Sequence, residues 1–204
     1  MFENVLADLR HYQAHFGSGK KSLLWTVLTV SYTHPAAAGV ILYRFGNWSW
    51  RSRIPVLREL CKLLYVLLLP LVRMYSGVQI HPCAEIGKGL VIGHFGGVVI
   101  CRESKIGEQC VLHHNVSIVT TNSRIAAQIG DYFYAGTGVT IVGNLVIEDN
   151  VICGAGSVIT KSVPADAIIS GVPAKILRFR RENERPPVYV RGHQEQAPFM
   201  KPGE

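Results

Sequence analysis

Three histidines stand where an imidazole could act on a substrate. His94 lies among glycines in the segment Gly93 to Gly97, and His113 and His114 are adjacent after the apolar Leu112. An imidazole titrates near physiological pH and can take a proton from a weak nucleophile. His94 is therefore the candidate general base, and the alternative is a histidine that only shapes a turn. One of the adjacent pair should face the same cleft and bind substrate, unless both are solvated or contact another subunit.

The element that must position these histidines is a six-residue repeat. An aliphatic or small residue recurs at thirteen positions, namely Ile80, Ile86, Ile92, Ile100, Ile106, Leu112, Ile118, Ile129, Ala135, Ile141, Ile147, Cys153 and Ile159. A second inward position follows four residues later, at Ala84, Leu90, Ser104, Cys110, Val116, Val139, Leu145, Val151 and Ser157. This period is typical of a parallel β-helix, in which three hexads close one triangular coil. We therefore predict a mainly β fold for this part of the chain.

Two breaks in the period predict loops that leave the wall of the β-helix. The spacing is eight residues around His94 and eleven around residues 119–124, instead of six. Surplus residues do not fit in the wall, and loops on a rigid scaffold commonly carry function. The second loop supplies two substrate-binding candidates, Asn122 and Arg124. Arg124 would meet an acidic group of the substrate, and the alternative is a plain surface charge.

The charge of the chain is concentrated at its ends. Nine Lys or Arg and three Asp or Glu fall in residues 1–77, six and seven in residues 78–175, and six and four in residues 176–204. Nucleic-acid binding would need a basic stripe on a known module, and neither is visible, so we expect no such partner. Five cysteines without CxxC spacing and a start unlike a signal peptide favour a reducing, cytoplasmic location.

Residues 1–77 predict an α-helical N-terminal region. Apolar residues keep helical spacing over Val5 to Tyr12, and a second apolar segment covers Leu23 to Val30. Pro35 suits the start of a further helix that reaches Phe45. These segments would precede the first coil of the β-helix.

The most apolar part of the chain is residues 54–75, which include the run Leu63 to Val72. That run is about half the length that spans a bilayer. One interpretation is a buried helix that packs against the first coil or a partner subunit. The other is peripheral contact with the inner face of a membrane through residues 44–75, because arginines and tryptophans surround the apolar run.

The C-terminal end predicts little independent structure. Residues 176–185 suit a short helix, and the Pro-, Gln- and Glu-rich residues that follow suit a flexible tail. The chain thus divides into a helical region over 1–77, a β-helix domain over 78–175 and a short helix with a tail over 176–204.

Several short motifs link the repeat to a known family. They are His81-Pro82, residues 84–89 (AEIGKG), residues 93–100 (GHFGGVVI), Gly143-Asn144, residues 154–158 (GAGSV) and residues 170–175 (SGVPAK). Over residues 78–178 they resemble the serine acetyltransferase branch of the hexapeptide-repeat acyltransferases. The resemblance implies a left-handed parallel β-helix and acetyl transfer from acetyl-CoA to a hydroxyl, without a metal. It also implies a homotrimer, or a dimer of trimers, with active sites between subunits.

The same resemblance assigns catalytic roles. His94 matches the family's catalytic histidine, which would take the proton of the attacking hydroxyl. Backbone amides around Gly96 and Gly97 are the candidates that stabilise the oxyanion. Gln79 stands where the family pairs this histidine with an aspartate, and a glutamine can orient the ring without stabilising its charge.

Two glycine-rich turns predict where acetyl-CoA would lie. They are eighteen residues apart, one full coil, so they should stack on one face and leave room for a pantetheine arm. Lysines and Arg178 farther along the chain are candidates for the phosphates of the coenzyme. The alternative is that small residues simply suit tight turns. The predicted coenzyme contacts are Gly136, Thr137, Gly138, Ala155, Gly156, Lys161 and Lys175.

The departures from the family bear on the acceptor. Gly93 and His34 replace two further acids, and the loop after Val119 is short and lacks the family's Arg-His pair. A site built to pair charges discriminates strongly by those contacts, so their loss argues against a zwitterion. We therefore expect a sugar hydroxyl of surface or exopolysaccharide biosynthesis as acceptor, by analogy with relatives of this shortened form. The alternative is serine O-acetylation in cysteine biosynthesis.

Two functions of other classes compete with acetyl transfer. A zinc lyase on a β-helix needs three histidine ligands, but His113 and His114 on a strand would point to opposite sides. A non-catalytic scaffold would bind coenzyme A without turnover. Metal content and turnover distinguish these possibilities.

Overall fold

The computed structural model describes residues 2–16, 29–121 and 125–181. The N-terminal part is helical, with α1 at Phe2–Phe16, α2 at Pro35–Arg51 and α3 at Pro55–Ser76. Pro35 begins α2 as predicted, but this helix continues well past Phe45. Gly77 ends α3 in the left-handed conformation with φ 68°, and the chain then winds into a parallel β-helix.

Each wall of the β-helix is a ladder of parallel strands from successive coils. The first wall contains β1 (Val78–Ile80), β4 (Val98–Ile100), β7 (Ser117–Val119), β10 (Thr140–Val142) and β13 (Val158–Ile159). The second contains β2 (Glu85–Ile86), β5 (Lys105–Ile106), β8 (Gln128–Ile129) and β11 (Val146–Ile147). The third contains β3 (Val91–Ile92), β6 (Val111–Leu112), β9 (Tyr134–Ala135), β12 (Ile152–Cys153) and β14 (Ala167–Ser170). The predicted parallel β-helix is confirmed.

The repeat residues form the core. All thirteen first positions and all nine second positions of the hexads are buried. In-register pairing stacks like on like, as with Ile86, Ile106 and Ile129 on the second wall. Each buried aliphatic side chain contributes about 1.5–3 kcal/mol relative to exposure. A continuous apolar column therefore stabilises the coils that carry the loops.

Helix α2 covers the open N-terminal edge of the β-helix. Arg44 donates from Nη1 to the carbonyl oxygen of Ile86 at 2.7 Å and from Nη2 to that of Gly87 at 2.6 Å. The hydroxyl of Tyr43 donates to the carbonyl oxygen of Ala84 at 2.8 Å. No earlier coil can satisfy these carbonyls, and an unpaired edge is costly. The side chains of α2 take that role.

Asp8 of α1 completes the cover. Its carboxylate lies 2.8 Å from Nε and 3.0 Å from Nη2 of Arg44. It also accepts from the backbone N–H groups of Gly89 and Leu90 at 2.8 and 2.9 Å. Both charged side chains are buried, and these hydrogen bonds offset the desolvation that a buried ion pair costs.

Helix α3 is largely exposed in the single chain, and burial against a partner subunit stays a prediction. Only Tyr65 and Ser76 of α3 are buried, and the helix packs chiefly along α2. Leu60 and Leu67 are 61% and 62% exposed. Packing against the first coil is limited because α2 occupies that edge. No helix in the described ranges is both long and apolar enough to cross a membrane.

The C-terminal edge carries a strand where a helix was predicted. Residues 175–179 form β15 (Lys175–Phe179), which pairs antiparallel with β14, so the helix predicted over residues 176–185 is wrong in the part that the structure describes. The exposed edge of β14 offers unpaired backbone groups, and pairing overrides local helical propensity. Residues beyond 181 and most of the predicted segment Leu23 to Val30 lie outside the described ranges.

Candidate active site

The loop between β3 and β4 carries His94. This residue has φ 67°, a left-handed conformation that costs a side-chain-bearing residue about 1–2 kcal/mol. Such strain is found preferentially at functional sites. The hydroxyl of Tyr12 in α1 donates to the carbonyl oxygen of Ile92 at 3.0 Å and accepts from its N–H at 2.9 Å. Helix α1 thus fixes the strand end from which the loop departs.

Both adjacent histidines approach His94. The ring centroids of His113 and His114 lie 5.9 and 5.7 Å from that of His94. The prediction that they point to opposite sides is wrong, because β6 ends at Leu112 and both lie in the following turn, with Asn115 at φ 60°. The alternation of side chains along a strand does not apply in a turn.

Tyr134 orients the ring of His113. Its hydroxyl lies 2.8 Å from Nε2 of His113. Burial lowers the pKa of His113, and the nearby charges of His94 and His114 lower it further. The ring is therefore neutral at pH 7, with one nitrogen that donates and one that accepts. Tyr134 was not among the residues predicted from the sequence. Its position in the hexad one coil below His113 could have identified it as a neighbour of that ring.

Two histidines from the helical region lie within electrostatic reach of His94. Burial lowers the pKa of His15 to about 4, and the charges of neighbouring histidines contribute. Burial, followed by the charge of His94, lowers the pKa of His34. Sequence analysis missed His15, although it shares a face of α1 with Asp8 and His11 at spacings of three and four residues.

One corner of the β-helix carries the histidines and the small residues together. The residues that follow β6, β9 and β12 are His113, Gly136 and Gly154, and these strands pair in register. The His113 N–H donates to the carbonyl oxygen of Ala135 at 3.0 Å, and the Gly136 N–H donates to that of Cys153 at 2.9 Å. Successive coils are about 4.8 Å apart. The glycine turns therefore begin one coil below His113, on the same corner.

The two glycine-rich turns stack as predicted. The Gly156 N–H donates to the carbonyl oxygen of Thr137 at 2.7 Å. A Cβ on Gly136 would lie 2.7 Å from the nitrogen of Ala155, so close approach alone requires glycine there. Ala155 and Gly156 are exposed, and a Cβ on Gly156 would meet nothing within 4 Å. The corner is thus open on its outer side, beside Gly138.

The predicted phosphate-binding lysines are exposed at the C-terminal end of the β-helix. Lys175 begins β15 and pairs with Ser170, whose hydroxyl would lie 2.7 Å from a Cβ on Gly154. Lys175 therefore lies at the C-terminal end of the same corner. Lys161 follows β13 of the first wall.

Backbone conformation and packing account for two glycines of the His94 loop. Gly96 has φ 128°, which side-chain-bearing residues rarely adopt, and a Cβ on Gly97 would lie 2.6 Å from Oδ1 of Asn115. These constraints explain the glycines whether or not their amides bind an oxyanion. An oxyanion role for Gly96 and Gly97 stays a prediction.

Comparisons of sequence and of structure point to one group of enzymes. The chain is 29% identical over 180 residues to a serine acetyltransferase of Synechococcus elongatus, covering 87% of this chain and 69% of the relative. The crystal structure of Neisseria gonorrhoeae serine acetyltransferase in complex with serine matches with a TM-score of 0.70 and 26% identity, over 85% of this chain and 68% of that one. In sequence and in fold the chain is similar to the serine acetyltransferase-like branch of the hexapeptide-repeat acyltransferases. The resemblance inferred from the motifs is thus confirmed.

Other matches to serine acetyltransferases have lower sequence identity or cover less of the relative. The complex of Brucella abortus serine acetyltransferase with coenzyme A has a TM-score of 0.72 at 22% identity, over 87% of this chain and 68% of that one, and supports the fold alone. Serine acetyltransferases of Arabidopsis thaliana and Staphylococcus are 34–38% identical, but the chain spans only 36–51% of their length. No protein-family model matches the chain.

The structure says less about the remaining predicted site residues. Gln79 is exposed on β1, in register with Val99, and its catalytic role stays a prediction. Asn122 and Arg124 lie outside the described ranges. Within the part of the chain that the structure describes, no three His, Cys, Asp or Glu side chains are grouped to hold a metal ion.

Proposed function

We propose that this chain is an acetyl-CoA-dependent O-acetyltransferase with His94 as its general base. The observation that carries the proposal is the shared corner, where His94, His113 and His114 lie above the stacked glycine turns. An acetyl-CoA whose pantetheine arm follows the turns, with its phosphates toward Lys175, would present its thioester near His94. The open outer side at Gly156 provides the space that such an arm needs.

The chemistry follows from the weak nucleophilicity of a hydroxyl. His94 takes the hydroxyl proton while the oxygen attacks the thioester carbonyl. The tetrahedral intermediate collapses by breaking the carbon–sulfur bond, and the imidazolium returns its proton to the departing coenzyme A sulfur. Neutral His113, fixed by Tyr134, is a hydrogen-bonding group for the acceptor or for the histidine ring.

The relatives favour L-serine as the acceptor. Those compared are serine acetyltransferases, and one was crystallised with serine. They support the reaction that precedes sulfur incorporation in cysteine biosynthesis better than the polysaccharide acceptor expected from the shortened loop. Serine is therefore the first acceptor to test.

A sugar hydroxyl is the second candidate, and one observation favours it. The residues around His94 include histidines whose pKa values are lowered, among them His34, where the family has an acid. Neutral imidazoles pair poorly with the ammonium group of serine. Gln79 and Gly93 stand at the other two positions where the family has an acid, and neither carries a charge. The site therefore favours a neutral acceptor.

Release of coenzyme A from acetyl-CoA separates these acceptors. L-serine, nucleotide sugars and short oligosaccharides are compared with the same purified protein. His34→Asp supplies a carboxylate for the ammonium group and is expected to lower KM for L-serine about tenfold if serine is the acceptor. His81→Asp is the matched control, because His81 accepts a hydrogen bond from the Cys83 N–H in the first coil instead.

The outcomes of this assay are distinct. Turnover with serine alone supports the serine acetyltransferase function, and turnover with a sugar alone supports the second candidate. Absence of turnover with every acceptor, together with coenzyme A binding, contradicts the transferase proposal and supports a scaffold.

We also propose a homotrimer, following the family. In the single chain His94, Ala155 and Gly156 are exposed, so a neighbouring subunit would be needed to exclude water from the thioester. Light scattering that gives three or six chains supports this arrangement, and a monomeric active enzyme contradicts it.

A further inference from the structure

Helix α3 exposes a continuous apolar stripe. Spacings of three and four residues place on one side of the helix Val56, Leu60, Leu63, Leu67, Leu71 and Met74. The stripe is bordered by Leu57, Leu64, Leu68 and Tyr75. Each of these residues is at least 37% exposed, and the Tyr75 hydroxyl, at the edge of the stripe, donates to the carbonyl oxygen of Ser31 at 2.9 Å. A contiguous apolar surface of this kind marks an interaction site.

The opposite side of α3 holds the helix on the protein. The ring of Tyr65 is buried in contact with Gly46, and its centroid lies 5.3 Å from that of Trp50. The Nζ of Lys62 lies 5.3 Å from the centroid of the Trp50 ring. Because this side rests on α2, the apolar stripe points away from the protein.

Basic residues dominate α3 and its approach. Residues 51–76 contain Arg51, Arg53, Arg58, Lys62 and Arg73 against the single acid Glu59. Glu59 is already engaged by Arg58 at 2.9 Å and Lys62 at 3.1 Å. Arg53 and Arg73 are exposed near the two ends of the helix. The β-helix domain, with six basic and seven acidic residues over 78–175, has no such surplus.

We propose that α3 binds the surface of an anionic membrane, with its apolar stripe in the boundary between headgroups and acyl chains. A helix of 22 residues is about 33 Å long and would lie parallel to the surface. Arg53 and Arg73 would reach lipid phosphates at either end, because long basic side chains extend from apolar surface to charge. The proposal does not depend on the acyl transfer proposed above.

A second copy of this chain is the competing occupant. A two-fold contact would place α3 against the same helix of its partner. Helix α3 has three basic residues and one acid, a net charge of +2, so the two helices would repel each other. An anionic lipid surface complements the same charge, and this complementarity favours the membrane.

Flotation with lipid vesicles tests the proposal. The full chain is mixed with vesicles of phosphatidylcholine alone, or of phosphatidylcholine with phosphatidylglycerol. We expect flotation with the anionic vesicles, weaker flotation with the neutral ones, and a decrease with added salt. Arg73→Gln removes one surface cation and should weaken binding to anionic vesicles about fivefold.

A double substitution tests the stripe itself. Leu63→Glu with Leu67→Glu places two charges in the apolar surface and should reduce binding by at least about tenfold. Leu177→Glu is the matched control, because Leu177 is equally exposed on β15, away from α3. Circular dichroism verifies that each variant is folded.

Three results would overturn the proposal. They are a wild-type protein that floats with neither vesicle, a double variant that floats as well as wild type, and a Leu177→Glu variant that loses binding equally. If wild type ignores vesicles and the double substitution lowers the oligomeric mass in light scattering, α3 is instead a contact between copies.

Discussion

The hydroxyl of Tyr134 and Nε2 of His113 lie 2.8 Å apart, although 21 residues separate them in the chain. They occupy the same corner region on successive coils, so this bond connects the wall of the β-helix to the site. The His113 ring centroid is 5.9 Å from that of His94. Burial lowers the pKa of His113. Because the neutral ring carries no charge that would orient it, this hydrogen bond sets its orientation.

Tyr134→Phe should slow acetyl transfer without unfolding the protein. Loss of one hydrogen bond of about 1 kcal/mol corresponds to about a fivefold lower kcat if His113 must be held in place. The measurement is coenzyme A release at saturating acetyl-CoA. Tyr132→Phe is the control, because Tyr132 is a partly exposed turn residue. Equal rates for both variants would show that the orientation of His113 is unimportant.

Asp8→Asn should strongly destabilise the N-terminal cover. The substitution leaves the buried Arg44 guanidinium without its counter-charge, and breaking a buried pair costs about 3–5 kcal/mol. Urea unfolding measures the change. Glu85→Gln, which removes an exposed carboxylate 3.7 Å from Lys105, should cost less than about 1 kcal/mol. Similar midpoints for the two variants would contradict the role assigned to Asp8.

Stability should decline as the pH falls from about 6.5 toward 4. The unfolded chain takes up protons at histidine near its ordinary pKa of 6.5, whereas burial lowers the pKa of folded His15 to about 4. The unfolded state therefore binds more protons in this window, and acid favours it. The lowered pKa values of His11, His34 and His113 act in the same direction.

His15→Gln isolates one part of this dependence. Thermal unfolding is followed from pH 8 to pH 4, and the variant is expected to lose less stability across the window than wild type. The difference at pH 8, where both side chains are neutral, corrects for altered packing. A variant with the same slope as wild type would exclude His15 as a contributor.

Ala155→Leu should weaken acetyl-CoA binding. Ala155 is exposed in the lower glycine turn, so a larger side chain there obstructs the corner without entering the core. We expect KM for acetyl-CoA to rise about tenfold, with a small change in unfolding. Val146→Leu, an exposed enlargement on β11 of the second wall, is the control. A rise in KM for the control alone would place the coenzyme on another face.

The β-helix was predictable because its pattern is local. Each hexad places an aliphatic residue such as Ile106 or Ile141 in the core, so a period read from the sequence is also a period in space. The His94 loop was found for the same reason, since two surplus residues must leave the wall. The stacking of the glycine turns needed only the length of one coil.

The remainder depends on contacts between distant segments. His15 reaches the site because Asp8 and Tyr12 bind the first coil, and no local pattern encodes that docking. Residues 175–179 pair with the edge of β14 rather than form a helix, because the edge supplies hydrogen bonds that an isolated segment lacks. His113 and His114 both approach His94 because β6 ends at Leu112, two residues before the end of a strand that would hold both.

The central claim is that His94 takes the proton of an acceptor hydroxyl during acetyl transfer. The most direct measurement is release of coenzyme A from acetyl-CoA by the His94→Ala protein, with the acceptor that wild type uses. The account predicts a rate at least about a hundredfold below wild type, unchanged binding of coenzyme A, and a His81→Ala control with wild-type turnover. A His94→Ala protein that transfers acetyl at the wild-type rate would contradict the account.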